Sequence, residues 1–469
     1  MRKAGLIIVA VVMLAVVCLL FMEDRSVPRD RYLPEVTQIL EAKPDVEALK
    51  RSRYAGLLGI GALENANYMD TGAEQVLSSY QLYEEVRTGK LKADAFLDHR
   101  SDYHGGYKTL LDHSEVNGEK YEFPCTDLRN FDCVTQTWAK RDVIRALEKQ
   151  NSVLLERYVQ IMELDGNESP IYGFMDVSFL PANFVVALGN WRLSMALVAL
   201  NDGRVDEGFQ ILQEERHFTE KMLSEPGMVV EGMAGMERFY IYMHVLDVLM
   251  SDPAFQVYWE DPRFGVLLVS FPQGVRQGAG VVLENERDIA FRFLAMDEDG
   301  KNFPFVLPEL FYNPYMTLNL DYVLREKMIG YASLSFAEAS DLYVRNELPD
   351  VLKEIETECS KHWSVLNFEG YGLICADGRE RLMDYVLMYD DMHVYLALMQ
   401  TKYALMRAGV DGDGAKSFLE AKGLRNPYTQ QPWSLNADKG MLHMTWMSHI
   451  LGEPDGKELW RCIISDALC

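Results

Sequence analysis

Cysteine is the residue type with the most direct chemical potential in this sequence. Cys18 lies in an uncharged N-terminal stretch, and the other six cysteines form three close pairs: Cys125 and Cys133, Cys359 and Cys375, Cys462 and Cys469. An even number of closely spaced cysteines in an exported chain predicts local disulfides, with bonds between sequential neighbours as the simplest arrangement. Ordinary buried thiols are the alternative, and the connectivity stays open. No Cys-x-x-Cys spacing occurs, and we expect no metal or other cofactor.

Two groups of acidic and imidazole side chains have residue types suited to metal binding or acid–base chemistry. The first covers residues 98–104 with His113 beyond them, in a polar, glycine-containing stretch. Solvated histidines are common in such stretches, so a surface loop is favoured over a metal site. The second is Asp390, Asp391 and His393 on an expected helix. Adjacent helical residues point about 100° apart, so the two aspartates cannot form one facing acid pair. The sequence nominates no catalytic residue.

The glycines of segment 54–62 superficially resemble a phosphate-binding loop. No convincing strand precedes Gly56, Gly59 and Gly61, and no Gly-Lys-Ser/Thr follows them. A phosphate loop requires both features, because the backbone amides must open a helix that follows a strand. Nucleotide binding is therefore not predicted.

The first 22 residues determine where the protein is placed. Ala4 to Met22 carries no charge, and as a helix it would span about 28 Å, close to the roughly 30 Å hydrocarbon core of a bilayer. The residues after Cys18 are too large or too acidic for a signal-peptidase site, which favours an uncleaved anchor over a cleaved signal peptide. Arg2 and Lys3 keep the amino terminus in the cytoplasm. We expect a single-pass inner-membrane protein with its main domain in the periplasm.

The net charge of the chain limits the classes of partner that it is expected to bind. Lysine and arginine number 46 against 71 aspartates and glutamates, a formal net charge of −25. A chain this acidic repels the phosphates of nucleic acid, so nucleic-acid binding is not expected. The membrane contact is expected through residues 4–22 alone.

Helices are expected to carry most of the exported part. Hydrophobic periodicity predicts them over residues 33–49, 72–89, 138–164, 184–201, 204–225, 226–250, 279–296 and 318–331. Residues 184–201 are apolar enough to suggest a second membrane span, but Asn190, Arg192 and Asn201 favour a buried core helix. Gly203 suits the left-handed position that ends a helix, so helices 184–201 and 204–225 should form an antiparallel, tetratricopeptide-like hairpin.

The strongest pattern lies near the C-terminus. Apolar residues recur at alternating spacings of three and four from Leu382 to Met406, and Gly409 follows them. Such a seam could pair with a second copy of the chain. Because Met388, Tyr395 and Leu398 make the opposite face apolar as well, a helix inside a bundle is favoured.

The predicted architecture is therefore all-α with a small C-terminal addition. It has a cytoplasmic stub and transmembrane anchor (1–22), a linker (23–32), an α-helical exported domain of hairpins or a bundle (33–420), and a C-terminal cap (421–469). In the cap, residues 432–435 and 441–446, joined through Asp438-Lys439-Gly440, predict a β-hairpin.

Several of these segments together resemble a known group of proteins. They are residues 54–62, the Cys125 and Cys133 pair before residues 154–158, the 183–225 hairpin, Asn313-Pro314-Tyr315-Met316-Thr317-Leu318-Asn319, and Asn426-Pro427-Tyr428-Thr429. In this order they resemble an uncharacterised group of inner-membrane-anchored, mostly α-helical periplasmic proteins of Gram-negative bacteria. Gln430 departs from the group, in which a glycine is usual after Tyr-Thr. The resemblance implies a compartment and a fold class, and no catalytic residue.

Two functions remain open. The first is an interaction or scaffold protein of the cell envelope whose partners are other envelope proteins. The alternative is a periplasmic hydrolase or lyase that acts on glycan and is built on a helical toroid. The second requires two carboxylates roughly 5–10 Å apart across an aromatic groove, and with 71 acidic residues the sequence cannot nominate a pair.

Overall fold

A computed structural model describes most of the helical part of the chain. The described residues are 31–88, 90, 114–116, 119–121, 137, 140–164, 166, 182–252, 255–295, 313–345, 347, 350, 353–354, 357, 378–410, 412–436, 441–444 and 459–462. Within them the chain is mostly helical, which confirms the predicted α-helical body. The expected anchor and the 98–113 segment lie outside the described residues.

Sixteen helices are present in the described part. In chain order they are α1 Pro34–Glu41, α2 Val46–Leu49, α3 Arg53–Gly59, α4 Tyr68–Arg87, α5 Arg141–Gln150, α6 Ser152–Met162, α7 Ala182–Asn201, α8 Val205–Ser224, α9 Val229–Ser251, α10 Gln256–Trp259, α11 Pro262–Leu267, α12 Gln273–Ala295, α13 Pro314–Ala332, α14 Phe336–Val344, α15 Gly378–Ala408 and α16 Gly412–Lys422.

Short antiparallel strands accompany the helices. β1 (Ser114–Val116) pairs with β2 (Glu119–Tyr121). β3 (Ser434–Asn436), β4 (Met441–Met444) and β5 (Leu459–Cys462) form a second sheet with β4 in the middle, in which Leu442 lies opposite Leu435 and Arg461. Leu442 is fully buried in the main hydrophobic core, so this sheet packs against the helices.

Helices α7, α8 and α9 pack against one another and form the centre of the main core. Gly203 adopts a φ of +78° between α7 and α8, as the predicted hairpin requires. The stretch Phe184–Asn201 is long and apolar enough to cross a membrane, yet 83% of it is buried inside the protein. It lies inside the chain, away from the N-terminus, and serves here as a core helix.

Helix α12 links this centre to the C-terminal helices. It contacts α8, α9, α13 and α15, and α1 packs on its other end. The prediction placed its start at residue 279, but the helix begins at Gln273 because the polar first turn still lies against the core. Val275 and Arg276 in that turn are both fully buried.

Helix α15 occupies the interior, as the sequence favoured. Tyr385, Tyr389, Met392 and Met399 of the predicted seam are buried, and Leu398 on the opposite face is buried too. A helix surrounded by its own chain on both faces has no free seam for a second copy. The helix ends at Gly409, whose φ is +61°.

Two predicted helices are each divided in the structure. Residues 33–49 form α1 and α2, because Pro44 has no amide hydrogen to donate and Ala42 is already extended. Residues 138–164 form α5 and α6, which meet at Asn151. The Asn151 side chain donates to the carbonyl oxygen of Leu147 and ends α5. At both joints a polar side chain binds the backbone of a neighbouring helix: Asp45 accepts from the first amides of α2, and Asn151 donates to the end of α5.

Gly59, in the segment that superficially resembles a phosphate loop, and Gly72 serve helix packing. A Cβ atom on Gly59 would lie 1.8 Å from the carbonyl oxygen of Tyr68, and one on Gly72 would lie 1.8 Å from that of Ala55. Helices α3 and α4 therefore touch through their backbones. Only glycine permits such an approach, since it has no side chain.

Candidate functional site

A cavity of about 470 Å³ opens between α15, the start of α14 and the segment that joins α11 to α12. Its aromatic walls are Phe271 and Phe336, and Leu396 and Pro427 add apolar surface. His393 also lines the cavity. Cavities of this size are typical of sites for small ligands.

His393 is clamped between the two phenylalanines. Its ring stacks on Phe336 with centroids 4.5 Å apart and planes 12° apart, and it meets the Phe271 ring edge-on at 5.5 Å. Its Nε2 atom is buried and has no hydrogen-bond partner. Burial, with help from the positive charge of Arg276, lowers the pKa of His393 to about 3. The imidazole is therefore neutral at physiological pH.

Behind His393 lies a buried ionic group that we call the Asp390 cluster: Arg276, Tyr331, Tyr343 and Asp390. Arg276 Nε donates to Asp390 Oδ1 at 2.7 Å, and the Tyr343 hydroxyl donates to Asp390 Oδ2 at 2.8 Å. Arg276 and Asp390 are both fully buried. Burial, and then the charge of Asp390, raise the pKa values of both tyrosines, so each hydroxyl keeps its proton.

Arg276 also donates hydrogen bonds to the C-terminal end of α13. Its Nη1 lies within 3.1 Å of the carbonyl oxygens of Tyr331, Ala332 and Leu334. These carbonyls belong to the last turn of the helix and the residues after it, where a helix has no internal partner for its oxygens and carries partial negative charge. One side chain of α12 thus joins α13 to α15.

Asp391 points elsewhere, as the 100° rotation between neighbours predicts. It is fully buried and accepts a hydrogen bond from the Tyr428 hydroxyl at 2.5 Å. Tyr428 follows α16 in a turn fixed by Asn426, whose side chain accepts from the Tyr428 amide at 2.8 Å. Burial, and then Asp391, raise the pKa of Tyr428, which keeps the donor protonated. The two neighbouring aspartates thus have separate hydrogen-bond partners.

A second buried ionic group, the Glu215 cluster, consists of Arg192, Glu214, Glu215 and Arg238. Glu215 accepts from Arg192 Nε at 2.9 Å and from Arg238, while Arg192 also pairs with Glu214. The aromatic ring of Phe218 lies 5.0 Å from the Arg238 guanidinium. Arg192, which argued against a membrane span, is thus neutralised inside the protein.

A third buried pair ties α3 to α9. Arg53 Nε lies 3.2 Å from Glu231 Oε1, and both side chains are fully buried. Arg53 also donates to the carbonyl oxygen of Glu225, and the other Glu231 oxygen accepts from the Gly227 amide at 2.7 Å. The Asp390 cluster and the Arg53–Glu231 pair therefore join helices that are distant in sequence, whereas the Glu215 cluster joins three consecutive helices.

The sequence identified some of these residues and missed others. Asp390, Asp391 and His393 were singled out, and the structure places His393 at the cavity with the two aspartates behind it. Arg276, Tyr343 and Tyr428 were missed. The available signal was a pair of aspartates in the largely apolar middle of a helix, because a buried carboxylate requires donors.

Other candidate residues lie outside what the structure describes. This is true of Cys125, Cys133, Cys359, Cys375 and Cys469, and of Cys462 only the strand backbone is described. The disulfides stay a prediction. Among the described residues, no group of three His, Cys, Asp or Glu could hold a metal ion.

The glycan-enzyme alternative needs two carboxylates facing a groove. The cavity has the aromatic walls, but among the described residues that line it there is no Asp or Glu. The alternative stays a prediction without a nominated pair.

Comparisons with protein-family models, with curated proteins and with solved structures find no match to this chain.

Proposed function

We propose that this chain is an interaction or scaffold protein of the bacterial cell envelope. Residues 4–22 would hold it at the inner membrane, and its helical body would lie in the periplasm. The uncharged N-terminal stretch after Arg2 and Lys3 supports this placement. The partners would be other envelope proteins, since a net charge of −25 disfavours nucleic acid.

The observation that carries the proposal is the presence of three exposed valines in one short segment of the chain, which we call the valine surface. Val257, Val266 and Val269 are 65%, 55% and 55% exposed, and all three lie on α10, α11 or the residues just after them. Single exposed apolar residues are ordinary on a protein surface. Several on one short segment of a strongly acidic chain favour a contact with another protein.

The valine surface is held in place by hydrogen bonds from the helical body. Arg216 of α8 donates to the carbonyl oxygens of Val266 and Val269, at 2.8 and 2.5 Å. Gln400 of α15 donates to the carbonyl oxygen of Leu268 at 2.6 Å. A surface fixed before binding loses little conformational freedom on association, which favours its use as a docking platform.

Proximity labelling in cells, from a tag fused after Cys469, tests the proposal. We expect a short, reproducible set of labelled envelope proteins with the wild-type chain. The double variant Val266→Ser and Val269→Ser should lose part of that set. Val344→Ser is the matched control, because Val344 is 46% exposed at the end of α14, outside the segment that carries the valine surface. Identical, diffuse labelling of abundant periplasmic proteins by all three chains would contradict the proposal.

A second measurement addresses stable partners. Cross-linking followed by purification from detergent-solubilised membranes should recover the same proteins with wild type and with Val344→Ser. Repeated recovery of the bait alone would argue against a scaffold.

A further inference from the structure

We propose that the cavity beside His393 binds a small, neutral aromatic molecule. The inference concerns the cavity alone and does not depend on the scaffold role. It follows from the partly exposed aromatic rings in the wall, from the contacts that fix those rings in place, and from the lack of charged side chains among the described lining residues.

The cavity has aromatic surface that the described residues leave partly uncovered. Phe271 and Phe336 both line it, and each side chain is only partly buried. Leu396, Ala397 and Pro427 add further apolar lining. About 470 Å³ lies within the roughly 300–1,000 Å³ typical of small-molecule sites. A ligand in this space would remove the apolar surface of the wall from water, which favours binding.

His393 adds a third ring to the wall. It stacks on Phe336 with ring centroids 4.5 Å apart and meets the Phe271 ring edge-on at 5.5 Å, so the three side chains form a continuous aromatic wall. A planar ring can pack on such a wall in the offset or edge-to-face arrangement that aromatic pairs prefer. An aliphatic ligand of similar volume would gain only the contact area. The wall therefore favours an aromatic ligand.

The aromatic wall is held in place by the helical body. The Gln400 side chain donates to the carbonyl oxygen of Leu268 at 2.6 Å, and this contact holds the segment that carries Phe271. The capping box at the start of α14 holds the helical turn that carries Phe336. A site that is ordered in advance loses little conformational freedom when a ligand binds.

The polar part of the lining favours a neutral ligand. Burial lowers the pKa of His393 to about 3, so the imidazole carries no charge at physiological pH. Among the described lining residues there is neither a carboxylate nor a lysine or arginine, and the remaining polar side chains are Ser270, Gln273, Ser335 and Gln400. An ionic ligand would lose hydration there without gaining a counter-charge.

Two charged groups lie close to the cavity, and both are satisfied within the protein. Glu338 Oε2 accepts from the Ser335 amide and hydroxyl, each at 2.7 Å, so the start of α14 already has its own carboxylate. Behind His393, Arg276 and Asp390 pair at 2.7 Å, and both side chains are fully buried. We therefore expect shape and aromatic contact, and not charge, to select the ligand.

Titration calorimetry on the full chain in detergent tests the proposal with matched probes. Benzyl alcohol is a neutral aromatic, benzoate and benzylammonium add a negative or a positive charge, and cyclohexylmethanol replaces the aromatic ring. We expect saturable binding of benzyl alcohol and affinities about tenfold lower for both ions, which must lose hydration without gaining a partner. Cyclohexylmethanol should also bind more weakly, because it lacks the ring contacts.

Three results would overturn the proposal. They are the absence of saturable binding of benzyl alcohol, an equal affinity for either ion, and an equal affinity for cyclohexylmethanol. Titration of detergent alone measures the partition of each probe into micelles, which does not saturate and is subtracted.

Variants test whether the binding belongs to this cavity. Phe336→Leu removes a ring but keeps an apolar side chain, and should weaken the binding of benzyl alcohol about fivefold. Ala397→Phe fills the cavity and should abolish binding. Val344→Ser, which lies outside the lining, should bind like wild type. Unchanged binding by Phe336→Leu or by Ala397→Phe, in a variant that melts like wild type, would place the ligand elsewhere and refute the assignment.

Discussion

Within the described part of the chain, the two largest buried ionic groups are the Glu215 cluster and the Asp390 cluster, which have similar chemistry and different surroundings. Glu215 is shared by two arginines, and the space beside it has no room for a water molecule. Asp390 is held by one arginine and two tyrosines, and a cavity of about 470 Å³ opens next to it at His393. The first arrangement leaves no cavity beside the carboxylate. The second joins helices while leaving an accessible pocket.

The comparison suggests why tyrosines replace a second arginine in the Asp390 cluster. A tyrosine hydroxyl satisfies a carboxylate oxygen without adding charge, so Arg276 and Asp390 stay a balanced pair. A second arginine would bring an excess positive charge beside the cavity. Buried charges are tolerated where they are paired and hydrogen-bonded.

The largest effect is expected from Glu215→Gln. The change leaves the buried guanidiniums of Arg192 and Arg238 without their shared carboxylate, and removing one partner of a buried pair costs about 3–5 kcal/mol. Denaturant unfolding measures the loss. Glu214→Gln is the matched control: Glu214 is 27% exposed, and its loss should cost about 1 kcal/mol. An equal decrease in the free energy of unfolding for the two variants would contradict the conclusion that Glu215 is the main partner of the two buried arginines.

Asp390→Asn should be less damaging, at about 3 kcal/mol. Arg276 keeps its three carbonyl partners at the end of α13, so its charge is partly satisfied. The double variant Arg276→Met with Asp390→Leu should recover at least half of that loss, because both charges leave the core together. A double variant as unstable as the single one would show that packing outweighs charge here.

The free energy of unfolding should also depend on pH through His393, which lines the cavity. The pKa of His393 is about 3 in the folded chain and about 6.5 in the unfolded chain, so the unfolded state binds the proton first as pH falls. The contribution of His393 is therefore fully present above pH 7 and is lost progressively between about 6.5 and 3. It should reduce the free energy of unfolding by about 2 kcal/mol between pH 7 and pH 5.

The matched variant for this pH effect is His393→Phe, which cannot titrate at this position. Chemical denaturation at pH 7 and pH 5 should show a smaller decrease for the variant than for wild type. Parallel pH profiles would mean that other groups cause the decrease. The neighbouring charges are Arg276 and Asp390, and both are already paired.

The smallest effect is expected at Gln430, in the turn that positions Tyr428 against Asp391. Gln430 has a φ of +55°, a left-handed conformation that favours glycine. Gln430→Gly relieves this conformation but removes the hydrogen bond from the Gln430 side chain to the Pro427 carbonyl oxygen. The net effect should be a stabilisation of the chain by about 0.5 kcal/mol. A small rise in melting temperature is the readout, and Gln431→Gly, at the next position, should not produce it.

Local sequence patterns predicted the helices well and the breaks between consecutive helices poorly. Periodicity identified α7, α8 and α15 because apolar residues at helical spacing are a local property. It missed the breaks near Pro44 and Asn151, where single residues interrupt an otherwise continuous pattern. It also missed that Gly59 and Gly72 bring two backbones together, because the partner helix is not visible in the pattern of the first.

The site was harder to predict because its parts are far apart in sequence. Arg276 lies 114 positions from Asp390, and Tyr428 lies 37 positions from Asp391. The aspartates and His393 could be named from their own helix. Their partners could not, since only the packing of α12, α14 and the turn after α16 against α15 determines which side chains meet them.

Arg276 also affects the local unfolding of the protein. Its guanidinium joins α12, the end of α13 and the middle of α15 in one set of hydrogen bonds, so the detachment of any one of these helices breaks buried hydrogen bonds to another. Segments coupled in this way exchange their amide hydrogens as one cooperative unit. We expect native-state hydrogen exchange to give α12, α13 and α15 a common opening free energy, and Arg276→Met to separate them.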